Sequence, residues 1–276
     1  MIKFFQMYLA FIKQQIKALI EYKLDFAMGM IGLTIFQIGS FLIIFSVFTQ
    51  IDSIGGYTFN EILLFYGYSQ ILRGIDHIFN DNFWEVAFGS IKSGKFSQYL
   101  MRPINPILQI VMEKVQFDGF GELIIGVIMF VYAKMALNIT FGFKGTIILI
   151  IFSISGLMIY FAIKLICTAI SFWTMTSGEF MVVTYEVNSF TKYPLDIYKN
   201  KILKLLLTYV LPFAAVSYLP LVYFIRDKKY IGDSLGIHYT WQYSPVFLAL
   251  GIAIIFLLIS LFIWNRGLKH YQPSGH

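Results

Sequence analysis

Apolar runs of span length alternate along the chain with short polar ones. Phe26 to Phe48 carries no charged residue, and about 20 apolar residues suffice to cross a bilayer core. Similar runs predict spans at Phe59 to Phe79, Ile104 to Met135, Thr146 to Trp173 and Pro245 to Trp264. Residues 1–23 read differently. Phe4, Phe5, Tyr8, Leu9, Ile12, Ile16, Leu19 and Ile20 recur at helical spacing, with Lys3, Lys13, Gln14 and Lys17 between them. That pattern predicts an amphipathic helix lying in the membrane interface, the alternative being a helix packed on protein.

The region from Glu179 to Arg226 allows two courses. In one, Phe180 to Tyr193 is a short fifth span, and 194–226 is an outer re-entrant hairpin broken at Pro212 and Pro220. In the other, Leu205 to Ile225 is the fifth span and Lys192, Lys199, Lys201 and Lys204 stay inside, as the positive-inside rule prefers. Both give an all-α membrane protein, a single transmembrane domain over 1–276 with six spans.

Charge sets the orientation. Four lysines precede the first span, and Asp52 with no basic residue follows it. The N-terminus is therefore expected in the cytoplasm, as is the polar segment 82–103 with Lys92, Lys95 and Arg102. Arg266 and Lys269 put the end of the last span on the same side. The N-terminal apolar residues are interrupted by lysines and followed by no small-residue cleavage site, so they do not read as a signal peptide.

Composition agrees with the lipid-facing reading. Hydrophobic residues make up 58% and charged ones 13%, against about 45–50% and about 25% in soluble domains. The net charge of +6 reflects cytoplasmic flanks rather than nucleic-acid binding, since no basic recognition module is present. The single cysteine, Cys167, excludes an internal disulfide and argues against a cysteine metal site.

Several residues could carry chemistry. Gly89 to Phe96 fits Gly-x-x-x-x-Gly-Lys, but a phosphate loop needs Ser or Thr where Phe96 stands and a strand before it. Arg73 and Asp76 share a helix face and can pair, the alternative being interfacial residues with the arginine snorkelling outward. Lys114, Asp118 and Glu122 stand four apart within the predicted third span, to line a path or to form a structural ion pair. Gly119, Gly121 and Gly126 would let another helix approach closely. The histidines lack metal-ligand spacing, and no cofactor or metal is expected. A membrane enzyme or channel using Lys114, Asp118 and Glu122 is the alternative to a transport subunit.

Taken in order, these pieces resemble the membrane subunits of ABC-2-type exporters, the small bacterial six-span permeases. The resemblance runs over nearly the whole chain: the amphipathic N-terminal segment, Ile91 to Lys95 with Leu100 to Pro103, Ser171-Phe-Trp173, Tyr193-Pro194, Leu211-Pro212, Leu219-Pro220, and the closing stretch from Trp264 to Gly275. It implies two permease subunits paired with two cytoplasmic ATPase subunits in a bacterial cell membrane. It implies a coupling helix in the first cytoplasmic loop, with Trp84, Glu85, Ile91, Lys92, Lys95, Phe96 and Arg102 at the ATPase. It also favours the course with Tyr193-Pro194 at the outer end of span five and a hairpin through Pro212 and Pro220. Arg73, Asp76, Lys114, Asp118 and Glu122 would then be intramembrane polar residues near the path.

Overall fold

The computed structural model describes residues 13–17, 20–21, 23–226 and 243–272. The first part of the expected interfacial helix, residues 227–242 and the last residues lie outside these. The described residues are helical, with one isolated bridge, Ile54 to Tyr57, closing the turn at Gly55-Gly56. Both glycines have positive φ (59° and 81°), a conformation that glycine adopts without steric cost.

The long helices are α1 (Lys23–Phe48), α2 (Phe59–Asn80), α6 (Gly119–Ala136), α7 (Gly142–Thr174) and α11 (Ser244–His270). Four of them, all but α2, contain segments long and apolar enough to cross a membrane. Between these stand α3 (Asn82–Glu85), α4 (Ser97–Met101), α5 (Pro106–Glu113), α8 (Gly178–Ser189), α9 (Lys201–Leu205) and α10 (Tyr218–Ile225).

The less apolar α2 is the most buried of the long helices. It buries Ile62, Leu63, Leu64, Phe65, Tyr66, Tyr68 and Leu72, and its polar Gln70 and Asp76 as well. It packs most closely on α6 because glycines face each other across the contact. A Cβ on Gly74 would lie 2.7 Å from the Leu123 amide nitrogen, and one on Gly126 would lie 2.7 Å from that of Ile71. Gly119 is equally crowded against Ile78, while Gly121 meets only Met30 at 3.4 Å. Such small-residue contacts let helix backbones approach within a membrane.

The expected third span is not one helix. It is α5 and α6, with an extended break between them: Lys114 has φ −142° and ψ 126°. Residue Gln15, from the N-terminal segment, repairs the break. Its side chain accepts from the Val115 amide at 2.7 Å and donates to the Glu113 carbonyl at 2.5 Å. The Gln116 amide finds the Ile78 carbonyl at 3.0 Å. Backbone groups freed in a bilayer must find such partners.

From 178 to 226 the chain crosses the bundle and doubles back. The Ser177 amide donates to Ala87 beside the Lys92–Lys95 loop. At the far end, Asp196 accepts from Tyr57 (2.7 Å) and Tyr218 (2.6 Å) at the Gly55-Gly56 turn. Segment 198–226 leaves that end, buries Phe213 to Val216 against Tyr160 and Gly156, and returns. Arg226 closes it by donating to the Gly56 carbonyl at 2.8 Å and pairing with Glu61 at 3.2 Å. Pro194, Pro212 and Pro220 are buried in this segment and Tyr193 is half-buried. The helix breaks after α9 and its π-helical extension (Leu206–Val210) at Leu211-Pro212.

Candidate functional site

Two polar features stand out: the loop after α2 and a seam of charges inside the bundle. The loop begins as α3 and continues as a π-helix, Val86–Ser90, a form concentrated at functional sites. It then turns at Gly94 (φ 74°) and ends in α4. The Phe96 amide closes the turn on the Ser90 carbonyl at 2.9 Å. The Gly-Lys turn therefore follows a π-helix rather than a strand, and the residue in the magnesium-ligand place is a buried phenylalanine.

Phe96 is 0% exposed. Its ring centroid lies 5.0 Å from that of Phe172 on α7 and 5.1 Å from that of Tyr271 just past α11, with Trp264 at 6.0 Å. Ring pairs at these spacings contribute beyond their buried area. Ile91 is buried in the same cluster, and Ser97 shares a hydrogen bond with the Tyr271 hydroxyl at 2.9 Å. Ile91 and Phe96, both expected at the partner, are buried here and anchor the loop to α7 and α11. Trp84 is half-buried, stacked on Phe88 and edge-on to Tyr185. Glu85, Lys92, Lys95 and Arg102 are exposed. Phe88 of this loop lines an open groove of about 580 Å³ with Ile170, Thr174, Glu179 and Phe180. Within the loop, Tyr99 donates to Glu113. Burial first, then that carboxylate, raises the phenol well above its ordinary range and keeps it protonated.

The charged seam departs from its predicted pairings. Arg73 and Asp76 do not pair with each other. Arg73 approaches Glu122 of α6 at 3.8 Å. Asp76 binds the Lys164 ammonium at 2.7 Å, and accepts from the Tyr185 hydroxyl and the Asn80 amide, each at 2.9 Å. Lys164 also donates to Asp81 and lies 5.3 Å from the centre of the Tyr185 ring. His77 stands among three carboxylates: Asp81 at 3.2 Å, Asp118 at 3.6 Å and Glu122 at 3.6 Å.

Lys114 does not share a face with Asp118 and Glu122, because the break after Glu113 turns it away, and it is exposed. The cations of the seam are Arg73 and Lys164, with the His77 imidazole among the carboxylates. Lys164 carried a usable signal, the lone charge in the apolar run from Thr146 to Trp173; His77 carried none in its spacing. Asp76, Asp81, Asp118 and Glu122 each face a cation or the imidazole, so the seam is an ionic lock joining α2, α6 and α7. Burying such charges is tolerated only when they are paired in this way.

A helical bundle with apolar helices of crossing length and paired charges buried inside defines a multi-pass membrane protein. Residues 34–275 match the family described as ABC-2 family transporter protein, and the chain belongs to that family. No curated protein and no solved structure matches it. Membership makes it a transport permease, as the ordered sequence pieces implied.

Proposed function

We propose that the chain is the permease subunit of an ATP-driven exporter in a bacterial cell membrane. It forms the path with a second permease subunit, and separate cytoplasmic ATPase subunits drive it through 82–103. The carrying observation is the construction of that loop: Ile91 and Phe96 are sunk into α7 and α11, while Glu85, Phe88, Lys92, Lys95 and Arg102 face outward. A push on the exposed side is delivered by Phe96 to Phe172 and Trp264, and so to two long helices at once.

Six spans follow in this reading: α1, α2, α5 with α6, α7, 178–193, and α11, with both termini cytoplasmic. Support for the hairpin is that Asp196 and Arg226, near its two ends, meet the same turn at Tyr57 and Gly56. Lys199, Lys201 and Lys204 then face outside against the positive-inside tendency, which weighs less in late loops than near the first span.

The test is reconstitution with the cell's own ABC ATPase. The expected outcome is co-purification in detergent and an ATP hydrolysis rate that depends on the permease. An ATPase whose rate and association ignore this chain contradicts the reading.

A further inference from the structure

Lys192 is the cation that the ionic lock leaves out. It ends the 3-10 turn Phe190–Lys192 after α8. Its ammonium lies 5.3 Å from the centre of the Tyr66 ring and 5.8 Å from that of Phe36. Among the described residues, no carboxylate forms an ion pair with it.

The depth of this charge matters. Tyr66 is seven residues into α2, about 10 Å along it at 1.5 Å per residue. An ammonium at that level lies within the bundle's apolar thickness, where a charge normally has a counter-ion or a task. The carboxylates near it are otherwise placed: Glu122 is held by Arg73 and His77, and Glu186 on α8 is exposed. Both are close enough for their charge to reach Lys192, and so is Arg73.

Polar groups converge on this seam. Arg73 lies two turns from Tyr66 on the same face of α2. Its side chain is 32% exposed and its contact with Glu122 is long. The Tyr66 hydroxyl donates to Gln37 of α1 at 2.7 Å. To the side the seam opens onto apolar surface: Ile35 is 64%, Phe36 63% and Phe190 41% exposed.

We propose that the seam between α1, α2 and the 190–192 turn binds an amphiphile with an acidic headgroup. Lys192 and Arg73 hold the negative charge, Tyr66 and Gln37 flank it, and its apolar body lies along Ile35, Phe36 and Phe190. This rests on the permease reading and names the class of molecule that such a permease handles. The headgroup chemistry is shared by resident phospholipid and by exported amphiphiles.

Native mass spectrometry of the purified chain, without ATPase, tests binding with phosphatidylglycerol and phosphatidylcholine of the same acyl chains. The expected result is preference for phosphatidylglycerol, lowered about tenfold or more by Lys192→Gln and weakened by Arg73→Gln. Lys192→Arg keeps it, and so do Lys199→Gln and Lys201→Gln on the exposed surface. Phe36→Glu, on an exposed face beside Lys192, places a carboxylate where the headgroup would sit and must also lower binding, even if Lys192→Gln fails to fold.

No preference for the anionic lipid, or binding unchanged in Lys192→Gln and Phe36→Glu, overturns the proposal. Because no ATPase is present, failed coupling leaves this result standing. In vesicles with the ATPase, ATP-driven transfer of labelled phosphatidylglycerol that Lys192→Gln abolishes supports the site as one for cargo. Lysine-dependent binding without transfer supports it as one for resident lipid.

Discussion

Helices α1 and α2 invite comparison because they are adjacent, of similar length, and treated oppositely by the fold. From Phe26 to Phe48, α1 has no charge, and it leaves Ile31, Ile35, Phe36 and Ile43 mostly exposed. By contrast, α2 carries Glu61, Arg73, Asp76 and His77, and it is the most buried of the long helices. In water the order would be reversed. With lipid as the solvent, apolar side chains gain little by leaving the surface, while polar ones must find partners inside. Hydropathy therefore marks what faces lipid, and the charges mark what is central.

The sharpest way to break this comparison is to unpair the interior. Lys164→Met leaves Asp76 without its cation and Asp81 with only the His77 imidazole, and is expected to lower stability by about 3–5 kcal/mol. Adding Asp76→Asn should recover part of the loss, read as thermal melting in detergent. A Lys164→Met protein as stable as wild type would show that the seam is not a lock.

A charge on the opposite surface comes next. Ile35→Arg on α1 should cost about 2.5–3.5 kcal/mol of insertion, measured as the fraction of chains integrated, whereas Ile35→Leu changes little. Equal insertion of both variants would remove α1 from the lipid face.

Smaller still is Gln15→Ala, which frees the Val115 amide and the Glu113 carbonyl. The expected loss is about 1–3 kcal/mol, with faster hydrogen exchange confined to the break between α5 and α6. Unchanged exchange there would contradict the patching role.

Much of the fold was legible as long, mostly apolar runs: α1, α2, α7 and α11 fall close to their expected bounds. The break after Glu113 was not, because no proline or glycine stands between Lys114 and Asp118. Its backbone is satisfied by Gln15, far away in the chain, which no local pattern reveals.

The seam illustrates the same limit. Spacing of three or four suggested Arg73 with Asp76, and Lys114 with Asp118 and Glu122. Helix spacing brings residues to one face but does not choose partners. Here the partners came from neighbouring helices: Glu122 for Arg73, Lys164 for Asp76. Glycine spacing served better, since Gly119 and Gly126 do lie at a close helix contact. In the loop, the polar character of 82–103 was readable. That Ile91 and Phe96 point inward was not, because their burial depends on Phe172, Trp264 and Tyr271.

The central claim is that the exposed side of this loop receives the motor's push while its buried side passes that push to α7 and α11. The most direct measurement is ATPase co-purification by a variant carrying Lys92→Glu, Lys95→Glu and Arg102→Glu, all exposed changes. The account predicts that association and permease-dependent ATP hydrolysis are lost while the melting temperature stays at the wild-type value. Full association and hydrolysis with all three charges reversed would contradict it.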